Sequence, residues 1–325
     1  MQQTIDRKLC VAPMMTHTDR HFRYLLRLIS SRVMLYTEMI TGSALIHGNA
    51  DKHLRFNRAE HPVGIQLGGN NAAELARCAR LAEQYGYDEI NLNVGCPSDR
   101  VKSGMFGACL MLQPQTVADC VKAMQDTCAL PVTVKTRIGV DQQDSYEQLA
   151  GFVETVAAAG CHTFIIHARK AWLSGLSPRQ NRTVPPLMYE RVYQIKQDFP
   201  QLEIIINGGI DDLQQCKTHL QQVDGVMAGR AVCHNPWLLA TADQEIFACP
   251  HAPRHRAVVI RDYMEYIQQQ LQQGETLHAM SRHILGLYQG QRGARAFRRY
   301  LSEHAHKRDS GVKIIEKAVS FIQAV

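Results

Sequence analysis

Eight short runs of apolar, often β-branched residues recur along the first three quarters of the chain, and no other feature limits its architecture as much. They cover 9–12, 33–39, 63–67, 89–94, 132–135, 163–167, 203–206 and 225–228. Between them lie stretches with the apolar spacing of helices, among them 72–85, 114–128, 145–159 and 212–223, several opened by Asn, Asp or Pro. A strand followed by a helix, repeated, builds a parallel sheet covered by helices. Eight such units in about 245 residues match a (β/α)8 barrel, typically ~250 residues long. A doubly wound sheet is the alternative. The residues at the strand ends decide for the barrel: Pro13, Met14 and Met15, then Glu38, Gln66, Asn93, Lys135, His167, Asn207 with Gly208 and Gly209, and Gly229 with Arg230. Each lies at or just past the C-terminal end of a run, and a closed barrel gathers those ends at one mouth. We therefore expect an α/β fold, a (β/α)8 TIM barrel over 1–245.

From about residue 246 the pattern changes. Pro250 and Pro253 stand in a basic linker, followed by helical stretches near 256–272, 277–288, 293–301 and 311–324 without strands. This predicts a smaller C-terminal all-helical domain over 246–325. The charge changes at the same place: residues 1–245 carry 24 Lys+Arg against 24 Asp+Glu, and residues 246–325 carry 12 against 6. An Arg-rich solvated surface is the plain explanation. Arg292, Arg295, Arg298 and Arg299 on one helical stretch favour phosphate contact, because a guanidinium offers a fork of donors to phosphate oxygens.

Several function classes are disfavoured. No apolar run approaches the ~20 residues of a membrane span, and the first residues lack the basic-then-apolar order of a signal peptide, so a cytoplasmic protein is expected. The ten cysteines are scattered without C-x-x-C spacing, and the fifteen histidines form no H-E-x-x-H or finger pattern. Reduced thiols and no metal are expected. No interface signature stands out, and a monomer is the default.

The segment 91–98, Asn-Leu-Asn-Val-Gly-Cys-Pro-Ser, carries the chemistry. Ile90, Leu92 and Val94 mark one strand face and Asn91 and Asn93 the other; Gly95 and Pro97 then stop the strand with Cys96 on the turn. A core cysteine is usually inert packing. Here the polar residues 99–107 that follow read as a loop able to move over a substrate, which favours function for Cys96. An ordinary thiol, with a pKa of about 8.5, is mostly protonated at neutral pH and can act as a general acid; Lys102 nearby keeps a thiolate nucleophile open. Lys135 ends a strand that would rarely hold an unpartnered lysine: either Glu38 pairs with it, or it faces an anionic cofactor. His167 is a satisfied core histidine or a cofactor contact. Gly208, Gly209, Gly229 and Arg230, at adjacent strand ends, suit a phosphorylated ligand.

Taken together, Ala12-Pro13-Met14-Met15 with Thr18-Asp19, Gln66-Leu67-Gly68-Gly69, Asn91 to Pro97, Val134 to Arg137, Asn207 to Ile210 and Gly229-Arg230 make the chain resemble the tRNA-dihydrouridine synthases almost from end to end. The stretch 167–182 with Pro185-Pro186-Leu187, and residues 36–41, resemble the bacterial A-type branch, which modifies U20 and U20a. The resemblance implies reduction of the uridine C5=C6 bond in the tRNA D loop, with FMN as cofactor and NADPH as reductant. It implies FMN contacts through Pro13, Met14, Met15, Gln66, Lys135, His167, Asn207, Gly208, Gly209, Gly229 and Arg230. It also implies tRNA contacts through Asn93, Arg179, Arg182, Arg295 and Arg298, and a proton from Cys96. An FMN barrel reductase of a free pyrimidine or enone, a non-catalytic RNA-binding barrel, and an aldolase-type barrel with Lys135 as Schiff-base amine are the rival readings.

Overall fold

Strand periodicity divides each barrel strand between two environments. In Glu89–Val94, Ile90, Leu92 and Val94 join the large apolar core beneath the helices, while Glu89, Asn91 and Asn93 hydrogen-bond to side chains of other strands. A computed structural model describes residues 5–98, 104–307 and 310–322. Its strands are β1 (Leu9–Val11), β2 (Leu35–Thr41), β3 (Val63–Gly68), β4 (Glu89–Val94), β5 (Val132–Arg137), β6 (Thr163–His167), β7 (Glu203–Asn207) and β8 (Gly225–Ala228). All neighbours pair in parallel in the order β1-β8-β7-β6-β5-β4-β3-β2. The last seam is closed by a parallel bridge between Cys10 and Met34, with Val11 N donating to Met34 O at 2.9 Å and Met34 N to Leu9 O at 3.0 Å. The expected (β/α)8 barrel is therefore the fold.

β2 begins two residues later than its apolar run, after the Met34 bridge to β1, and shifts register between Tyr36 and Met39. The Tyr36 ring lies against β3 where only glycine fits: a Cβ on Gly64 would stand 2.8 Å from Tyr36 Cε1. Cys10, Met34, Tyr36, Ile165, Ile205 and Met227 form a separate apolar cluster inside the barrel. At the barrel floor, buried Arg7 ties β4 to β7 through Glu89 at 2.6 Å and Glu203 at 3.0 Å.

From residue 246 on, the α-helices are Arg256–Gln272, Leu277–Ser281, Ala294–His304 and Lys313–Val319, with no strand among the described residues. The expected stretch 277–288 is helical only to Ser281 and then tightens into a 3-10 turn at Arg282–Ile284. There Arg282 and His283 turn to the Asp19 carboxylate. Asp19 also caps helix Arg20–Ile29, accepting from His21 N at 3.0 Å and Phe22 N at 2.9 Å, so one carboxylate starts the first barrel helix and anchors the C-terminal helices. Tyr24 stacks on Tyr266 at 3.9 Å, and the Arg256 guanidinium lies over Trp237 at 4.4 Å, a cation–π contact. Where these helices meet the segment after β8, a Cβ on Gly286 would stand 1.9 Å from His234 O. Gly286→Ala is expected to destabilise the fold by about 2 kcal/mol or more, since the obstructing atom is backbone; thermal unfolding checks this, and an unchanged Tm contradicts the packing. Among the described residues no helix is long and apolar enough to cross a membrane.

Candidate active site

The site begins as a hydrogen-bonded line through the barrel. Glu89 Oε1 accepts from Tyr36 OH at 2.7 Å and Thr133 Oγ1 at 2.6 Å; Thr133 Oγ1 accepts from Asn91 Nδ2 at 2.9 Å. Asn91 Oδ1 accepts from Gln66 Nε2 at 2.7 Å, and Gln66 Oε1 from Asn93 Nδ2 at 2.9 Å. Asn93 Oδ1 then accepts from Gly95 N at 3.2 Å and Cys96 N at 3.0 Å. Each amide in the line both donates and accepts, which strengthens its neighbours' bonds. The two asparagines of β4 thus serve the turn that carries Cys96; of the residues expected at ligands, Asn93 has three of its four amide hydrogen-bonding sites engaged within the protein and Gln66 has two. Cys96 O accepts from Ala108 N at 2.9 Å, in the 3-10 segment Gly107–Leu112; of the loop expected over 99–107, residues 99–103 lie outside the described residues. The half-buried thiol reaches Ser98 Oγ at 3.5 Å. Lys102 lies outside the described residues.

Arg137, which the sequence pattern did not single out, braces this turn. Its buried guanidinium donates to Gly95 O at 2.9 Å, Lys170 O at 2.9 Å and Asn181 O at 3.0 Å. Asn181, fully buried, organises the loop after β6 by accepting from Trp172 N at 2.7 Å and donating to Trp172 O at 2.9 Å. Burial pulls Arg137 down to about 10, still charged at neutral pH. We predict that Arg137→Met, by leaving three carbonyls without their donor, costs about 2–4 kcal/mol in chemical denaturation; a change within about 0.5 kcal/mol, typical of an uninvolved surface site, contradicts the bracing role.

Beside this arm is a cluster of cations. Lys135 follows Thr133 and precedes Arg137 on the inward face of β5, and its Nζ donates to Asn207 Oδ1 at 3.0 Å. Asn207 is fixed in turn by donation to Met227 O at 2.7 Å. The expected alternative pairing with Glu38 does not form: Glu38 accepts from Thr16 N in the loop after β1, and among the described residues no carboxylate bridges Lys135. Lys135 keeps some surface at the mouth but is enclosed by protein, and burial, then the nearby Arg137 charge, lowers its pKa to about 7. His167, at the end of β6, is held well below the usual histidine range by burial and by Arg137, Lys135, Arg169 and Arg230. It is a neutral imidazole at pH 7, and its buried Nδ1 has no hydrogen-bond partner in the protein. The same holds for Nε of Arg169, a second residue the sequence reading had not assigned.

Gly208 and Gly209 after β7 take φ of 117° and 70°, conformations that favour glycine. A Cβ on Gly209 would also stand 2.6 Å from Leu187 Cδ1. Gly229 differs: a Cβ there would make only ordinary contacts at 3.6 Å with Ala12 and Met14, so protein packing does not require glycine. Arg230 is exposed and donates to Arg182 O at 3.2 Å, which brings the end of β8 to the loop after β6. Pro13 and Met14 are half-buried at the end of β1, with Met14 N bonded to Thr18 Oγ1 at 2.9 Å, and Met15 is 53% exposed. Arg179 and Arg182 are exposed on the loop after β6; Arg295 and Arg298 are exposed on Ala294–His304. Unpartnered ring and guanidinium nitrogens on His167 and Arg169, a poised Lys135 and two positive-φ glycines suit an anionic, phosphate-bearing group. Among the described residues no cluster of His, Cys, Asp or Glu could hold a metal.

The family model described as dihydrouridine synthase matches residues 10–324. A Shewanella oneidensis protein described as tRNA-dihydrouridine(20/20a) synthase is 55% identical over 321 residues, 99% of this chain and 96% of its own. Proteins of the same description from Escherichia coli K12 and Vibrio cholerae are 57% and 56% identical over 316 residues, 97% of this chain and 91% and 96% of theirs. With a parallel barrel that carries a cysteine turn and a cluster of cations at its strand ends, and with a match over nearly its whole length, the chain belongs to the dihydrouridine synthase family.

Proposed function

We propose that this protein reduces the C5=C6 bond of uridine in the tRNA D loop to dihydrouridine, at U20 and U20a, with NADPH as reductant and FMN as bound cofactor, as a cytoplasmic monomer. The observation that carries the reading is the joining of two halves by Arg137: it braces the Cys96 turn and sits on the same strand as Lys135, which reaches Asn207. When bound, FMN would supply the two-electron chemistry between NADPH and the C5=C6 bond of uracil, with the hydride added at C6. Lys135, Asn207, the neutral His167 and Gln66 would hold the flavin ring. Arg169, Arg230, Gly208, Gly209 and Gly229 would hold the phosphate, and Pro13, Met14 and Met15 would line the edge. A lysine poised near pH 7 takes a proton at little cost when an anion stands before it. Cys96 gives a proton to C5, which balances the hydride at C6 and leaves a thiolate that solvent reprotonates. Residues 1–245 form the catalytic domain. Residues 246–325 form a tRNA-binding domain whose Arg295 and Arg298, with Arg179, Arg182 and Asn93 of the barrel, orient the substrate.

The target base must leave its stack to reach the barrel mouth. Under anaerobic conditions, FMN-loaded protein should lose its flavin absorbance on adding NADPH and regain it on adding unmodified tRNA. Recovery with a free pyrimidine or an enone but not with tRNA would replace the tRNA reading by that of a small-molecule reductase.

A further inference from the structure

A cleft of about 470 Å³ separates the barrel mouth from the C-terminal helices. On the barrel side it is lined by Thr16 and His17 of the loop after β1 and by Cys233 and His234 after β8. Arg282, Gln289 and Arg298 line the helical side. Its size is within the ~300–1,000 Å³ of small-molecule sites, and its lining contains no carboxylate. Arg282 is committed to Asp19. His17 spends Nδ1 on Met15 O at 3.0 Å and keeps Nε2. The side chains of His234, Gln289 and Arg298 are exposed and make no hydrogen bond or ion pair recorded among the described residues. Three polar side chains without a protein partner, and the free edge of His17, thus line one space.

From the cleft, the exposed arginines continue along one face of Ala294–His304. Arg295, Arg298 and Arg299 are exposed, while Ala294, Phe297 and Leu301 are buried on the other face. A free dinucleotide confined to the cleft would leave that row unused. A polynucleotide strand threaded through it would meet the row one phosphate after another.

We propose that this cleft binds the nucleotide next to the target uridine, with Arg298 on its phosphodiester and Gln289, His234 and His17 on the phosphate and the base edge. The proposal rests on the tRNA reading above and deepens it. It assigns the barrel mouth to the reacting base and the cleft to its neighbour, so that the enzyme grips two adjacent nucleotides and places the first by holding the second.

The test is an equilibrium binding cycle that needs no turnover. Unmodified tRNA is assembled with a neutral methylphosphonate at each linkage within three nucleotides of the target, and binding to the full-length protein, to Arg298→Ala and to Gln289→Ala is measured as salt is varied. Arg298→Ala should weaken binding about five- to tenfold and reduce the salt slope by about 1. At one linkage flanking the target, the methylphosphonate should weaken binding to the wild-type protein but not further weaken Arg298→Ala. Effects that multiply at every linkage overturn the proposal. So does unchanged tRNA binding in both variants, or weaker NADPH-driven flavin reduction, which would place the dinucleotide there. A protein that binds tRNA with the expected coupling but does not reduce it would sink the catalytic reading while leaving the cleft's assignment in place.

Discussion

Cys96→Ala is expected to reduce the rate of tRNA reduction by about 10²- to 10⁴-fold, the usual contribution of a positioned general acid, while flavin binding, its reduction by NADPH and tRNA affinity stay near wild type. The expectation rests on how the turn is held. Its backbone is fixed by Asn93 Oδ1, by Ala108 N and, through Gly95 O, by Arg137, and none of these bonds uses the thiol. The thiol's recorded bond is a long one to Ser98 Oγ at 3.5 Å, so truncation removes the proton donor and little else. Single-turnover oxidation of the NADPH-reduced protein by tRNA measures the loss. A variant that reduces tRNA at the wild-type rate would show that the proton reaches C5 from another group.

Lys135→Met is the second large effect, and it has two signs. In the cofactor-free protein we predict a gain in stability of about 1–3 kcal/mol near pH 6, discounted for the part of the side chain still open to water. The folded-state pKa is about 7 against 10.5 for an ordinary lysine. Below pH 7 the lysine is charged folded and unfolded, and the folded chain bears the full cost of a desolvated charge. Between pH 7 and 10.5 the unfolded chain holds a proton the folded one has lost, so wild-type stability rises with pH across this window. The variant's advantage should be largest below pH 7 and fade towards pH 10. Flavin binding should move the other way, weakening about 10- to 100-fold through loss of a charge-assisted bond. Paired denaturation curves at several pH values and a flavin titration measure both. A pH-independent stability difference contradicts burial of the charge, and unchanged flavin affinity contradicts the lysine's place at the ring.

Residues whose partners follow from strand period were legible in the sequence. Asn91 and Asn93 alternate with Ile90, Leu92 and Val94, and the inward and outward faces follow from that alone. His167 ends β6 as expected, whereas β5 runs two residues past Lys135, to Arg137. Arg137 is two residues beyond Lys135, so its inward direction was also readable. Its function was not, because its carbonyl partners Gly95, Lys170 and Asn181 lie 33 to 44 residues away and backbone oxygens carry no sequence signal. Neutral His167 was hidden for a similar reason: apart from burial, its state is set by four cations, two on β5, one just after β6 and one just after β8. The choice at Lys135 between an ion pair and an open cation turned on Glu38, which bonds Thr16 N instead. The cleft gathers residues from Thr16 to Arg298, and no local pattern could assemble it.

The product of the proposed reaction is read directly on the tRNA. Unmodified tRNA incubated with the protein, FMN and NADPH, then digested and analysed by nucleoside mass spectrometry with positional mapping, should show two added hydrogens on uridine at positions 20 and 20a. NADPH consumption with every D-loop uridine left at its original mass would contradict it.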